Sequence, residues 1–144
     1  MYETFYYSKF NKDISKWNVS QVTNMLCMFG NSNFNRDISQ WDTSSVVNMH
    51  GMFCDSKFNK DISKWNTSNV RFMEFMFSNS KFDGDISSWD VSQVTNMCYM
   101  FCDSPFDRDI SQWTINPHCE MVYMFQNSKM MRLPSWYKND EDKR

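Results

Sequence analysis

The chain has 144 residues and a formal net charge of −2, so length bounds it to one domain and charge removes the electrostatic case for nucleic acid or an anionic membrane as partner. Hydrophobic residues make up 41%, yet mean hydropathy is −0.65, because Asn, Asp, Ser, Lys and Gln fill the remainder; that mixture suits a thin core under much exposed surface. No apolar run approaches the roughly 18 residues of a membrane span, and the opening MYETFYYSKF lacks the basic start and apolar stretch of an export signal.

In chain order, FNKDISKWN begins at Phe10 and returns as FNRDISQWD at Phe34, FNKDISKWN at Phe58, FDGDISSWD at Phe82 and FDRDISQWT at Phe106, each time 24 residues on. The residues between repeat too. Aligned on the period, Ile fills 14, 38, 62, 86 and 110, Trp fills 17, 41, 65, 89 and 113, and Met fills 25, 49, 73, 97 and 121. Met-Phe pairs close the pattern at 28–29, 52–53, 76–77, 100–101 and 124–125, and no insertion disturbs the register from Phe5 to Phe125. A fixed period of this size is the mark of a solenoid. One copy buries too little to fold alone, so neighbours must hold it.

Each copy carries two periodicities. Apolar residues alternate from Trp17 to Val19, and fall at i, i+3, i+6 and i+7 from Val22 to Phe29. The first spacing predicts a short parallel strand around residues 17–20; the second predicts a short helical turn over residues 23–29, followed by a return loop. The single solenoid is expected over residues 1–130, opening on a half repeat. A closing segment follows at 131–137, where Met131, Leu133, Pro134 and Trp136 form a lid and Trp136 sits one residue short of the Trp register. Residues 138–144 are expected to be a charged, disordered tail. The N-terminal face has no such lid, leaving Tyr2, Phe5, Tyr6 and Tyr7, or a partner, to cover it.

Ile14, Trp17, Val19 and Val22 read as LxxLxLxxV, followed by NMLCMF and a return through Ser32 and Phe34. On these landmarks the chain, over about residues 5 to 130, resembles the BspA-like leucine-rich repeat family. It is closest to the branch whose repeats run FNxDISxWxVSxVTNMxxMFxxSx, found in bacterial surface proteins, mycoplasma lipoproteins and, in related form, large DNA viruses and protists. The resemblance implies a right-handed leucine-rich-repeat-like α/β solenoid used for protein interaction or adhesion, without catalytic residues.

The Trp, Met and Phe columns belong to the core, since their place in the register points them inward. Asp13, Asp37, Asp61, Asp85 and Asp109 form a carboxylate column whose mutual repulsion must be offset. Capping of backbone N–H groups in each copy's own loop does so; a Ca²⁺-binding solenoid through this column is the alternative, although the Gly-rich acidic loops that supply six to eight oxygens are missing. The expected strand points Asn18, Asp42, Asn66 and Asp90 outward together with Ser20, Ser44, Ser68 and Ser92, a polar ladder that is the candidate partner-binding face. His50 and His118 occupy different register positions, and neither a nucleophile triad nor a P-loop is present.

Cys54 and Cys102 share a register position two copies apart, too far for a disulfide at ~4.8 Å per coil, and Cys27, Cys98 and Cys119 occupy three others. No pair has zinc spacing. The thiols and the missing export signal favour an intracellular, reducing location, with the cell surface following if the chain is a fragment of a longer protein. The sequence therefore predicts a non-enzymatic protein–protein interaction module with no cofactor and an unidentified protein partner. A structural unit that self-associates through its N-terminal face is the third reading.

Overall fold

Backbone hydrogen bonds show how the period folds. In the computed structural model, which describes residues 1–138, the N–H of Met25 donates to Asn48 O at 2.9 Å, Cys27 to His50 O at 2.8 Å, Phe29 to Met52 O at 2.9 Å and Asn31 to Cys54 O at 2.7 Å. Equivalent bonds join every later pair of copies, ending with Met97 to Glu120, Tyr99 to Val122, Phe101 to Met124 and Asp103 to Gln126. Copies therefore lie side by side in the same direction, with parallel bridges running Asn24, Asn48, Phe72, Asn96, Glu120. The opening half copy joins the same ladder: the Met1 ammonium donates to Asn24 O, and the N–H groups of Glu3, Phe5 and Tyr7 donate to Leu26, Met28 and Gly30.

Along one copy the path is a series of tight turns. Trp17 N–H donates to Ile14 O, Val22 to Val19, Met28 to Met25 and Gly30 to Cys27, all at 2.8–3.1 Å. The helical turn expected over residues 23–29 and the strand expected at 17–20 are both corrected by this geometry: among the described residues there is no helix, and parallel pairing is confined to single bridges at Asn24 and its equivalents. The physical reason is a competition for donors. A helix would send these N–H groups to the carbonyl four residues back, but Met25, Cys27 and Phe29 give theirs to the next copy. Cys27 and Asn31 also take positive φ, 48° and 49°, which a right-handed helix does not admit. Apolar spacing at i and i+3 is satisfied equally well by consecutive turns.

Side chains inside the turns stack along the ladder. Phe29, Phe53, Phe77, Phe101 and Phe125 lie ring over ring at 5.6–5.8 Å. A second column, Phe34, Phe58, Phe82 and Phe106, stands beside it at 4.1–4.2 Å. Met25, Met28 and their equivalents through Met100 are completely buried. Each inner indole also ties two copies together: Nε1–H of Trp41, Trp65, Trp89 and Trp113 donates to the carbonyl of Ile14, Ile38, Ile62 and Ile86 in the copy before.

The ends depart from the pattern. Trp136 stacks on Trp113 at 6.1 Å and donates to Ile110 O, taking the Trp role one residue early, while Tyr137 sets its ring edge-on to Phe125 at 5.0 Å. Pro134 is buried with them; Met131 and Leu133, expected in the lid, are exposed. Most of the expected tail, residues 139–144, lies outside the described residues. At the other end Phe5 stacks on Phe29 and Phe10, and Trp17 remains 42% exposed where the four inner tryptophans are 4–5%.

This difference makes a test. Trp65→Phe removes one of the two donors to the buried Ile38 carbonyl, which keeps the N–H of Trp41, and is expected to cost about 0.5–1.5 kcal/mol in urea unfolding. Trp17→Phe, whose indole has no isoleucine carbonyl beneath it, is expected to change stability much less. Equal losses would refute the indole tie.

Candidate functional site

The recurring polar residues can be followed atom by atom. In each copy Oδ1 of the DIS aspartate accepts the N–H of the serine two residues on: Asp13 from Ser15 at 2.9 Å, Asp37 from Ser39 at 2.8 Å, and Asp61, Asp85 and Asp109 from Ser63, Ser87 and Ser111 at 2.9 Å. The serine N–H, and after it the serine hydroxyl, hold the carboxyls of Asp13, Asp37, Asp61 and Asp85 below the ordinary aspartate value; for Asp109 the hydroxyl leads. The column thus closes five local loops. Among the described residues no three His, Cys, Asp or Glu side chains come together as a metal site.

Asn18, Asp42, Asn66 and Asp90 are exposed at a corner of each copy, at a turn and not along a strand. Each Oδ1 accepts both the N–H and the Oγ–H of the next serine but one, Ser20, Ser44, Ser68 and Ser92, with hydroxyl bonds of 2.6–2.7 Å. What remains outward alternates: an amide group on Asn18 and Asn66, a second carboxylate oxygen on Asp42 and Asp90.

A further ladder was not singled out in the sequence. The Asn11 Oδ1 accepts Asn35 N–H, Asn35 accepts Asn59, Asn59 accepts Asp83, and Asp83 accepts Asp107, at 3.0–3.3 Å. Its signal was the second residue of each FN or FD pair, always a side chain with a carbonyl-type oxygen at the same reach. Buried Ser32, Ser56, Ser80 and Ser104 likewise use Oγ to accept the N–H of the Phe two residues on.

Groups with reactive chemistry are few and separated. His50 Nδ1 stands 3.6 Å from Glu74 Oε2, and His118 is exposed in the last copy. None of the five cysteines is in a disulfide, and burial first of all pushes the Cys54 and Cys119 thiols up to about 12, the opposite of what a nucleophilic thiolate needs. Among the described residues no nucleophile, base and orienting acid converge.

The outward positions that vary between copies form a different surface. Cys27, Gly51, Phe75, Tyr99 and Tyr123 follow one another up the ladder; Phe75 stacks on Tyr99 at 4.7 Å, and Tyr123 lies tilted by 40° against Tyr99 at 5.3 Å. Each residue of this column has positive φ, from 48° to 58°. Gly51 adopts it freely and leaves room for Cys27 Sγ, which would lie 2.9 Å from a Cβ placed there. Bulky side chains adopt it at a cost of order 1 kcal/mol. Phe72, 41% exposed, and Val47 and Val122, each 37%, lie on neighbouring outward positions.

A family model described as a Mycoplasma protein of unknown function, DUF285, matches residues 1–101 and, a second time, residues 78–140. Neither the curated proteins nor the solved structures provide a match.

The capping aspartates set an acid dependence. Their folded pKa values lie below the ordinary 3.8, so their contribution is complete above that value and is lost as pH falls through the lower, folded values. Replacing Asp37, Asp61 and Asp85 together by Asn keeps an acceptor for each serine N–H and removes the charge. Between about pH 5 and about pH 2 the unfolding midpoint of this variant is expected to fall less than the native one; parallel acid limbs would refute the assignment.

Proposed function

The chain belongs to the DUF285 family, whose function is unknown, and we propose on that footing that it is a non-enzymatic protein–protein interaction module built as a short solenoid. The observation that supports this reading is the division of labour among its side chains. Polar residues that recur in every copy are occupied in holding a turn or joining two copies, whereas the outward positions beside the ladder differ from copy to copy. A rigid frame carrying a varied outer face is how repeat proteins present binding surfaces. The resemblance to BspA-like leucine-rich repeats belongs to the same proposal, as does the polar corner of Asn18, Asp42, Asn66 and Asp90 as one of two candidate faces.

Growth of the stack by self-association receives less support. The bonds of the main ladder run from the N–H of one copy to the carbonyl of the next, while Asn33, Val47, Lys57 and their equivalents donate back to the copy before. Beyond the last copy Tyr137 covers Phe125, so that end of the stack is closed.

Capture experiments with matched variants test the module reading. Asn66→Asp with Asp90→Asn keeps both Oδ1 acceptors while exchanging the outward groups of the corner; Phe75→Asn with Tyr99→Asn clears the aromatic column. The reading expects at least one captured protein to be lost by one of these variants at an unchanged unfolding midpoint. Identical capture by the native chain and both variants overturns it.

A further inference from the structure

We propose that the ridge formed by Phe72, Phe75, Tyr99 and Tyr123 docks a basic peptide segment of another protein, one that carries apolar side chains between its cations. The inference rests on the interaction-module reading and names the partner's chemistry.

Two independent observations point there. The first is conformational. Two positions of each copy take positive φ: one is filled by Tyr7, Asn31, Asp55, Asn79, Asp103 and Asn127, mostly residues that tolerate this region, and the other by Glu3, Cys27 and Gly51 and then by Phe75, Tyr99 and Tyr123 in the last three copies. Gly51 shows that the second position accepts a residue without any side chain. Glu3 and Cys27 show that it does not call for a ring. Half-buried rings in a disfavoured conformation, flanked by a Phe72 that is 41% exposed, indicate selection for a surface.

The second is electrostatic. In the stretches 17–31, 41–55, 65–79, 89–103 and 113–127 the cations reduce to Arg71, against six carboxylates: Asp42, Asp55, Glu74, Asp90, Asp103 and Glu120. Every other Lys or Arg between Phe5 and Met130 lies on the FNKDISK side of the copies. Arg71 itself donates to Gln93 Oε1. Glu120 occupies the same bridge column as Phe72, and exposed Asp55 and Asp103 follow the turns that begin at the ring column. An apolar aromatic strip edged by carboxylates fits cationic side chains over its rings and edges, and aliphatic ones against Phe72, Val47 and Val122. It repels nucleic acid and anionic lipid alike.

The test uses three synthetic probes on the full chain: a peptide alternating leucine with lysine, its leucine–glutamate counterpart, and oligolysine, each followed by fluorescence anisotropy. The leucine–lysine peptide is expected to bind in preference to the other two. Phe75→Asn with Tyr99→Asn is expected to weaken it about tenfold or more at an equal or higher unfolding midpoint, because Asn accepts the left-handed conformation. Glu120→Gln with Asp103→Asn is expected to reduce both affinity and its salt dependence. Three outcomes overturn the proposal: no preference among the probes, native affinity in the asparagine variant, or a sharply lowered midpoint in that variant, which would make the ring column a structural stack. If the ridge fails while the Asn66→Asp, Asp90→Asn variant loses a captured protein, the module reading stands and only the ridge falls.

Discussion

Everything in this molecule depends on one bond repeated: the backbone N–H of a residue donating to the carbonyl of the residue 23 positions later. Because four such donors per copy point the same way, each copy needs the one above it, and the chain cannot relax into local helix without giving up the contact that orders it. The ladder also forces the two left-handed positions that let the backbone turn between donors at residues 27 and 31. Those turns aim Met28 and Phe29 inward, and the ring stacking at 5.6–5.8 Å follows from that placement. Indole N–H groups reaching the previous isoleucine carbonyl add a second set of ties on the opposite side of each coil.

Regularity of this kind divides the residues into two groups. The DIS aspartates, the FN asparagines, the buried serines and the corner Asx–Ser pairs all have bonding partners within the scaffold, so their recurrence is explained by folding. The aromatic column is not explained that way. It sits where the backbone is least comfortable with a side chain, appears in the last three copies, and shares its side of the molecule with carboxylates and a lone arginine.

Much of this was legible in the sequence. The period, the inward Phe, Met, Ile and Trp columns and the capping role of the DIS aspartates all follow from register, because burial and loop capping repeat as the residues do. The secondary structure was not legible. Spacing of i and i+3 suits consecutive turns as well as a helix, and only the destination of the N–H groups of Met25, Cys27 and Phe29 distinguishes them. The ridge was hidden for a related reason: Phe75, Tyr99 and Tyr123 share a column with Cys27 and Gly51, so alignment shows no preferred residue, and a positive φ leaves no mark on an aromatic as it does on glycine. Trp136 could be placed one residue out of register, but its taking over the indole bond to Ile110 required the geometry.

The most direct test of the account is a pair of deletions. Removing residues 56–79 takes out one whole period and joins Asp55 to Ser80, which restores CDSKF and keeps every N–H opposite its carbonyl. Removing residues 56–78 leaves one residue too many and shifts the ladder below the junction against the ladder above it. The account predicts that the first variant unfolds cooperatively with a native-like circular dichroism spectrum and a lower midpoint, while the second loses cooperative unfolding. Comparable folding of the two would contradict it.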